Sequence, residues 1–521
     1  MIEHIICLYW SFTILMKTNT CFIALMFLGA QLLSAQTNQQ KINAAIKTSQ
    51  QAIFDEYLNF VAIPNETVDS ANIRLNAAFV KNMLEKRGVK AELLTTANGN
   101  PAVFGEVKVP GATKTIAFYA HYDGQPVNPK QWAPGLKPFE PVFITAPIEQ
   151  GGHIVNYKRG DAIDTSWRLS GRGSADDKAG VMCIINAYDA LIKSKIKPGC
   201  NIKFFFEGEE EKGSPQLAAI FKKYKAKLTS NLWIICDGAR HPSGKNIVVF
   251  GVRGDVNMWL TIYGPKRPLH SGNFGNWAPN PGLAMAKLLA GMKDDDDRVT
   301  IKGFYDDVTP LSQGEKEALA KVPPVEPGLK KELGIARPEG GTRPLVNAFM
   351  LPTLNINGMA SGNVGKQASN VIPVKAEAVL DLRLVPGNDM DRQIQKVTDH
   401  IRVQGYYVID KEPTDQERIT YPKIIKITHD AGYNAQRTPL DLPIAQAVVK
   451  AVQGTVDYPV LLSPSSGGSL PLFVFEQELG AKVITVPLVN YDNNQHAENE
   501  NVRVSYLWQG IATMAAVMQM K

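Results

Sequence analysis

Two periodicities divide this chain. Residues 42–60 and 73–87 bring apolar side chains round every three to four positions, as amphipathic helices do. The second stretch ends at Lys86-Arg87-Gly88, a basic last turn with a glycine stop. A short β unit is expected around Asn98-Gly99. Three apolar runs of strand length follow, each ending in acidic or imidazole side chains. Thr115–Ala120 leads into His121-Tyr122-Asp123, Asn201–Phe206 into Glu207-Gly208-Glu209-Glu210-Glu211, and Leu232–Cys236 into Asp237. Helical patterns at 178–194 and 214–226 separate these runs, and Val181–Ile192 is apolar enough for a buried helix. Apolar strands alternating with helices predict an α/β fold, with a mixed, largely parallel sheet and helices on both faces. In such sheets ligands bind beyond the carboxyl ends of the strands, where these polar residues fall.

From about residue 249 the pattern changes. Val256–Tyr263 and Ala376–Leu384 alternate as half-exposed antiparallel strands do, and helical stretches lie at 280–293 and 389–403. The Pro-rich segment 323–344 reads as a surface loop. These features predict a smaller α+β domain, an antiparallel sheet with two helices, inserted into the first. The α/β texture returns after about residue 430, with a helix at 443–453 and a strand at 482–489. The expected division is therefore 36–248 with 426–521 for the α/β domain and 249–425 for the insert. A chain of 521 residues is long for one core, which agrees with two domains.

Composition narrows the partners. The chain is 44% hydrophobic and 20% charged, as soluble globular proteins are. A net charge of +6 is mild, and no basic tract is interleaved with aromatics, so nucleic acid is not an expected partner. Lys17, the apolar run Cys21–Ala30 and the small residues before Gln36 have the form of a secretory signal cleaved after Ala35. Met16 makes a better start for that signal than Met1. The expectation is an exported protein, periplasmic or secreted, with no stable membrane insertion after cleavage. Beyond the signal only Cys183, Cys200 and Cys236 remain, an odd number without a CxxC pair, which suggests buried free thiols.

The stretch Gly171-Arg172-Gly173-Ser174-Ala175-Asp176-Asp177-Lys178 sets two carboxylates directly before the buried helix. Such acids serve equally well as a helix cap or as metal ligands. A phosphate loop is disfavoured, because both carboxylates would repel the anion. His121-x-Asp123 suits a ligand whose second nitrogen is held by a carboxylate, although a strand-end histidine is more often structural. Glu209, Glu210 and Glu211 emerge where a buried Phe run ends, and Asp237 has the same setting; otherwise they read as a solvated charge run and a turn. His496, in a polar loop, is on its own an ordinary surface histidine.

The order of these features carries more than any one of them. His-x-Asp, Gly-Arg-Gly-Ser-x-Asp-Asp-Lys, Glu-Gly-x-Glu-Glu-x-Gly-Ser, a strand-end Asp and a late His-x-x-Asn-Glu follow one another along the chain. In that order the chain resembles the co-catalytic dinuclear zinc peptidases, which include carnosinase-like dipeptidases, carboxypeptidase G, aminoacylase and acetylornithine deacetylase. Leu269-His270-Ser271-Gly272-Asn273-Phe274-Gly275 and Leu382-Arg383-Leu384-Val385-Pro386 look most similar to the carnosinase-like branch.

The resemblance implies two divalent metal ions, zinc first, with manganese or cobalt as alternatives. Asp176 would bridge them, His121 and Asp237 would complete one site, and Glu211 and His496 the other. Asp123 would orient His121. Glu210 would be the general base acting on a metal-bridging hydroxide, with a register slip to Glu209 as the alternative. Three ligand carboxylates and one hydroxide balance four cationic charges. The resemblance further implies that His270 reaches the active site of a partner subunit in a homodimer built through the inserted lid domain. Arg383, with Gly468 and Ser469, would take the substrate's terminal carboxylate. A cis peptide between Asp176 and Asp177 is also implied. The expected activity is hydrolysis of dipeptides or small peptides. N-acyl-amino acid deacylation, carboxypeptidase action and non-catalytic metal or peptide binding are the alternatives.

Overall fold

The computed structural model describes residues 37–97 and 99–521. The signal and start-site expectations, and Asn98 of the expected β unit, lie outside the described residues. An eight-stranded sheet forms the centre, in the order 91–94, 102–107, 201–207, 115–121, 232–235, 483–485, 247–249, 461–463. Its middle is parallel: Thr115–His121 pairs with both Asn201–Glu207 and Leu232–Ile235, and Leu232–Ile235 pairs with Val483–Thr485. These are the uninterrupted apolar runs, buried on both faces as parallel strands are. Strands 91–94 and 102–107 add an antiparallel edge.

Alternate residues of each strand enter different cores. Ile116 and Phe118 pack with the helix Lys178–Lys193 and the C-terminal helix Val504–Met518. Ala117 and Tyr119 pack on the other face, with Phe221, Trp233 and Phe475. The C-terminal helix is apolar nearly all round, so it has no amphipathic stripe to mark it in the sequence, and it was not foreseen. It approaches Lys178–Lys193 at Gly510, where a Cβ would meet the Cys183 sulfur. Cys183, Cys200 and Cys236 are free and buried, as expected.

A second, five-stranded sheet has the order 353–360, 375–384, 254–263, 424–429, 407–409 and is antiparallel except for its last pair. Val256, Met258, Leu260 and Ile262 turn into a separate core against the helices Pro281–Ala290 and Met390–Val403. Three of its strands were not foreseen. In Thr353–Ala360 a bulge between Ile356 and Gly358 breaks the alternation on which a strand prediction depends. The segment 323–344 is not simply a loop: it contains the helix Glu326–Leu333, begun by Pro327 and ended by Gly334 with φ 66°. The helix expected over 214–226 is divided at Tyr224 into Leu217–Lys223 and Lys225–Leu228. The strand expected over 482–489 is limited to Val483–Thr485. Among the described residues no helix is long and apolar enough to cross a membrane.

Candidate metal centre

The parallel strands deliver their last residues to one end of the sheet. His121 closes its strand and is fully buried, and Asp237 follows Leu232–Ile235 by two positions. Between them stands the acidic turn before helix Lys178–Lys193. The Asp176–Asp177 peptide is cis. Asp177 caps the helix, accepting from Gly180 N at 3.2 Å, and also accepts from His121 N at 3.3 Å. The capping reading therefore falls to Asp177, which leaves the Asp176 carboxylate free of that role. Lys178 points away: its Nζ donates to the carbonyls of Phe60 and Ile63, each at 2.8 Å.

Two groups of ligand type meet at Asp176. His121 Nε2 lies 3.0 Å from Asp176 Oδ1 and 3.8 Å from Asp237 Oδ2. His496 Nε2 lies 3.0 Å from Asp176 Oδ2 and 3.3 Å from Glu211 Oε2. Within each group the donor atoms fall within 4.8 Å of one another. Asp123 stands behind His121, its carboxylate 3.4 Å from Nδ1, and accepts the backbone N–H groups of Glu210 and Glu211. It thereby ties the imidazole to the segment that carries the two glutamates.

The three glutamates part company. Glu209 turns inward, accepting from Asn100 N at 2.8 Å and pairing with Lys212 at 2.9 Å. Glu210 turns to the centre, its Oε2 3.9 Å from His121 Nε2, and Glu211 joins the second group.

Glu500 went unassigned in the sequence, although it ends the His-x-x-Asn-Glu pattern. Fully buried, it accepts from the backbone N–H groups of Gly173, Ala175 and Asp176 at 2.8–3.0 Å and from Arg172 at 2.7 Å. It fixes the turn from behind.

The electrostatics call for cations. Burial and the neighbouring Asp176 charge push Glu211 up to about 8 and Asp237 up to about 6. Burial likewise raises Glu210. Burial also works against the Asp176 carboxylate, but the adjoining His121 and His496 imidazoles outweigh it and hold that group well below its usual range. The Asp176 carboxylate beside it pushes His496 up to about 9. Four carboxylates thus crowd around two imidazoles. Asp176 Oδ2 is buried and makes no hydrogen bond of good geometry, although His496 stands beside it. Nitrogen and oxygen donors around such an oxygen fit a pair of divalent cations.

Asp176, Glu210, Asp237 and His496 line a cavity of about 570 Å³, together with Arg383, Gly468 and Ser469. Arg383 donates to Ser469 Oγ at 2.8 Å and pairs with Asp381 at 3.0 Å. His270 is not brought to this cavity. It is exposed on the second sheet's side, in a two-residue strand paired with Val371–Ile372, and its Nδ1 accepts from Gly272 N. Within one chain it serves as a cap.

A sequence profile of peptidase family M20/M25/M40 matches residues 117–520. The Cys-Gly metallodipeptidase of Saccharomyces cerevisiae is 26% identical over 446 residues, covering 83% of this chain and 85% of the yeast one. The human Beta-Ala-His dipeptidase is 25% identical over 432 residues, covering 80% and 76%. Among solved structures, an M20 family metallo-carboxypeptidase from Sulfolobus solfataricus superposes with a TM-score of 0.73 at 26% identity, covering 90% of this chain and 98% of its own. These likenesses correct one expectation. The yeast Cys-Gly metallodipeptidases are cytosolic, so the expected export does not stand, and the segment 1–35 on which it rested lies outside the described residues.

Proposed function

Because this chain belongs to peptidase family M20/M25/M40 and is a metal-dependent peptidase, we propose that it hydrolyses dipeptides with a free C-terminal carboxylate. The observation that supports this reading is one cavity lined by residues of both ligand groups, by Glu210, and by the Arg383–Ser469 pair. His121, Asp176 and Asp237 would hold one cation, and Asp176, Glu211 and His496 the other; zinc suits the donor set, with manganese or cobalt able to replace it. When bound, such a pair polarises the scissile carbonyl and makes water a nucleophile near neutral pH.

The chain's own residues do the rest. Glu210, half-buried beside the ligand carboxylates and free of the backbone contacts that occupy Glu209, takes a proton from the attacking water and hands it to the leaving amine. Asp123 holds His121 Nδ1 and keeps Nε2 turned to the site. Arg383, steadied by Asp381 and Ser469, anchors the terminal carboxylate beside the Gly468 turn, where the backbone borders open space. Residues 249–425 act as a lid and as the contact of a homodimer, in which His270 completes the partner's site.

The test is Glu210→Gln in metal-loaded protein. Turnover of dipeptides should fall by about a hundred- to ten-thousandfold with metal content unchanged. Full activity would remove Glu210 as the base. The similarity to a metallo-carboxypeptidase favours one second reading, release of C-terminal residues from longer peptides. Tripeptides and N-acyl-amino acids assayed beside dipeptides separate the readings.

A further inference from the structure

One wall of the cavity has no part in the chemistry above. Ile247 and Val249 form with Leu461 a small apolar cluster set apart from the larger cores, and both line the cavity. The short helix Leu345–Ala348 and the residue after it bring Val346 and Phe349, both half-buried, to the same space. The Phe349 ring is braced. The Arg253 guanidinium stands 5.7 Å from its centroid, and the ring lies so close over Gly467 that a side chain there would strike it.

Beyond the ligand cluster and Glu210, the only ionisable groups lining the cavity among the described residues are Arg383 and His241. Arg383 is offset by Asp381. His241 is tied through Nδ1 to Ser243 at 2.8 Å, and burial lowers its pKa, so it is neutral at pH 7. An ionised side chain laid on the apolar wall would lose water and gain no counter-charge.

We propose that this wall is a side-chain subsite selecting dipeptides with a bulky, uncharged apolar side chain over charged ones, with Val346 and Phe349 as specificity-determining residues. The proposal rests on the dipeptidase reading. A leucine-sized side chain against such a wall is worth about tenfold or more in kcat/KM.

The experiment assays metal-loaded protein on X-Gly and Gly-X series, with X as Gly, Leu, Phe, Asp or Lys. In one series Leu and Phe should exceed Asp and Lys by about tenfold or more. In that series Val346→Asp should cut the Leu-to-Lys ratio about tenfold, and Phe349→Ala the Phe-to-Gly ratio. No apolar preference in either wild-type series, or ratios unmoved by both variants, overturns the subsite. If the wild type cleaves no dipeptide, the dipeptidase reading fails, and calorimetry decides the subsite separately. Tighter binding of Leu-Gly or Gly-Leu than of the lysine counterparts, lost in Val346→Asp, sustains it, and equal affinities remove it.

Discussion

Glu500 shows how much one buried carboxylate can hold in place. It satisfies three backbone N–H groups of the acidic turn and the Arg172 guanidinium, with both side chains out of water. Glu500→Ala leaves Arg172 buried and unpaired, and should cost about 3–5 kcal/mol of stability, read as a lower urea midpoint. A loss under 1 kcal/mol would show that water replaces the carboxylate. Asp492 offers a pH test. Burial raises its pKa, but the Arg168 hydrogen bonds outweigh this and hold it below the usual carboxylate range. A depressed folded pKa gives stability that is present above the unfolded value near pH 4 and lost as pH falls through the folded one. Asp492→Asn should therefore flatten the decline in stability below about pH 4, modestly, because the side chain is 35% exposed. At this scale His121 and Asp237 stood out as candidate ligands because each stands where an apolar run ends, whereas Asp176 and His496 were named as ligands only through the resemblance. The role of Glu500 was not legible, because its partner Arg172 lies 328 positions away in sequence and no local pattern encodes the contact.

Elements were legible where burial leaves a period. The helix Met390–Val403 and the strands Gly254–Tyr263 and Lys375–Leu384 each bury one stripe or face, and the sequence shows it. The helix Val504–Met518, buried on nearly all sides, shows none, and the bulged strand Thr353–Ala360 loses its alternation. The helix pair Lys178–Lys193 and Val504–Met518 carries the acidic turn at one end, so its spacing bears on the site. Gly510→Val would force a side chain against Cys183, and overpacking of this kind costs about 1–3 kcal/mol. Thermal melting should show the loss. An unchanged midpoint would mean that the two helices separate freely.

At the scale of the molecule, the two sheets bring different chemistry to one cavity. The large sheet supplies Asp237 and the turn before helix Lys178–Lys193 supplies Asp176, whereas the second sheet supplies Arg383 and the segment before it Phe349. The layered α/β class and the smaller antiparallel sheet were readable from the change of period near residue 249. That Phe349 would serve the cavity was not, because the segment before it reads as surface. Asp176 would join two cation sites, and metal binding tests this most directly. Titration of metal-free protein with zinc, followed by calorimetry, should give two equivalents per chain. Asp176→Asn should weaken both, while His496→Ala should remove one. A wild type that binds one equivalent or none, or an Asp176→Asn variant that binds two as tightly as before, would contradict the two-cation centre.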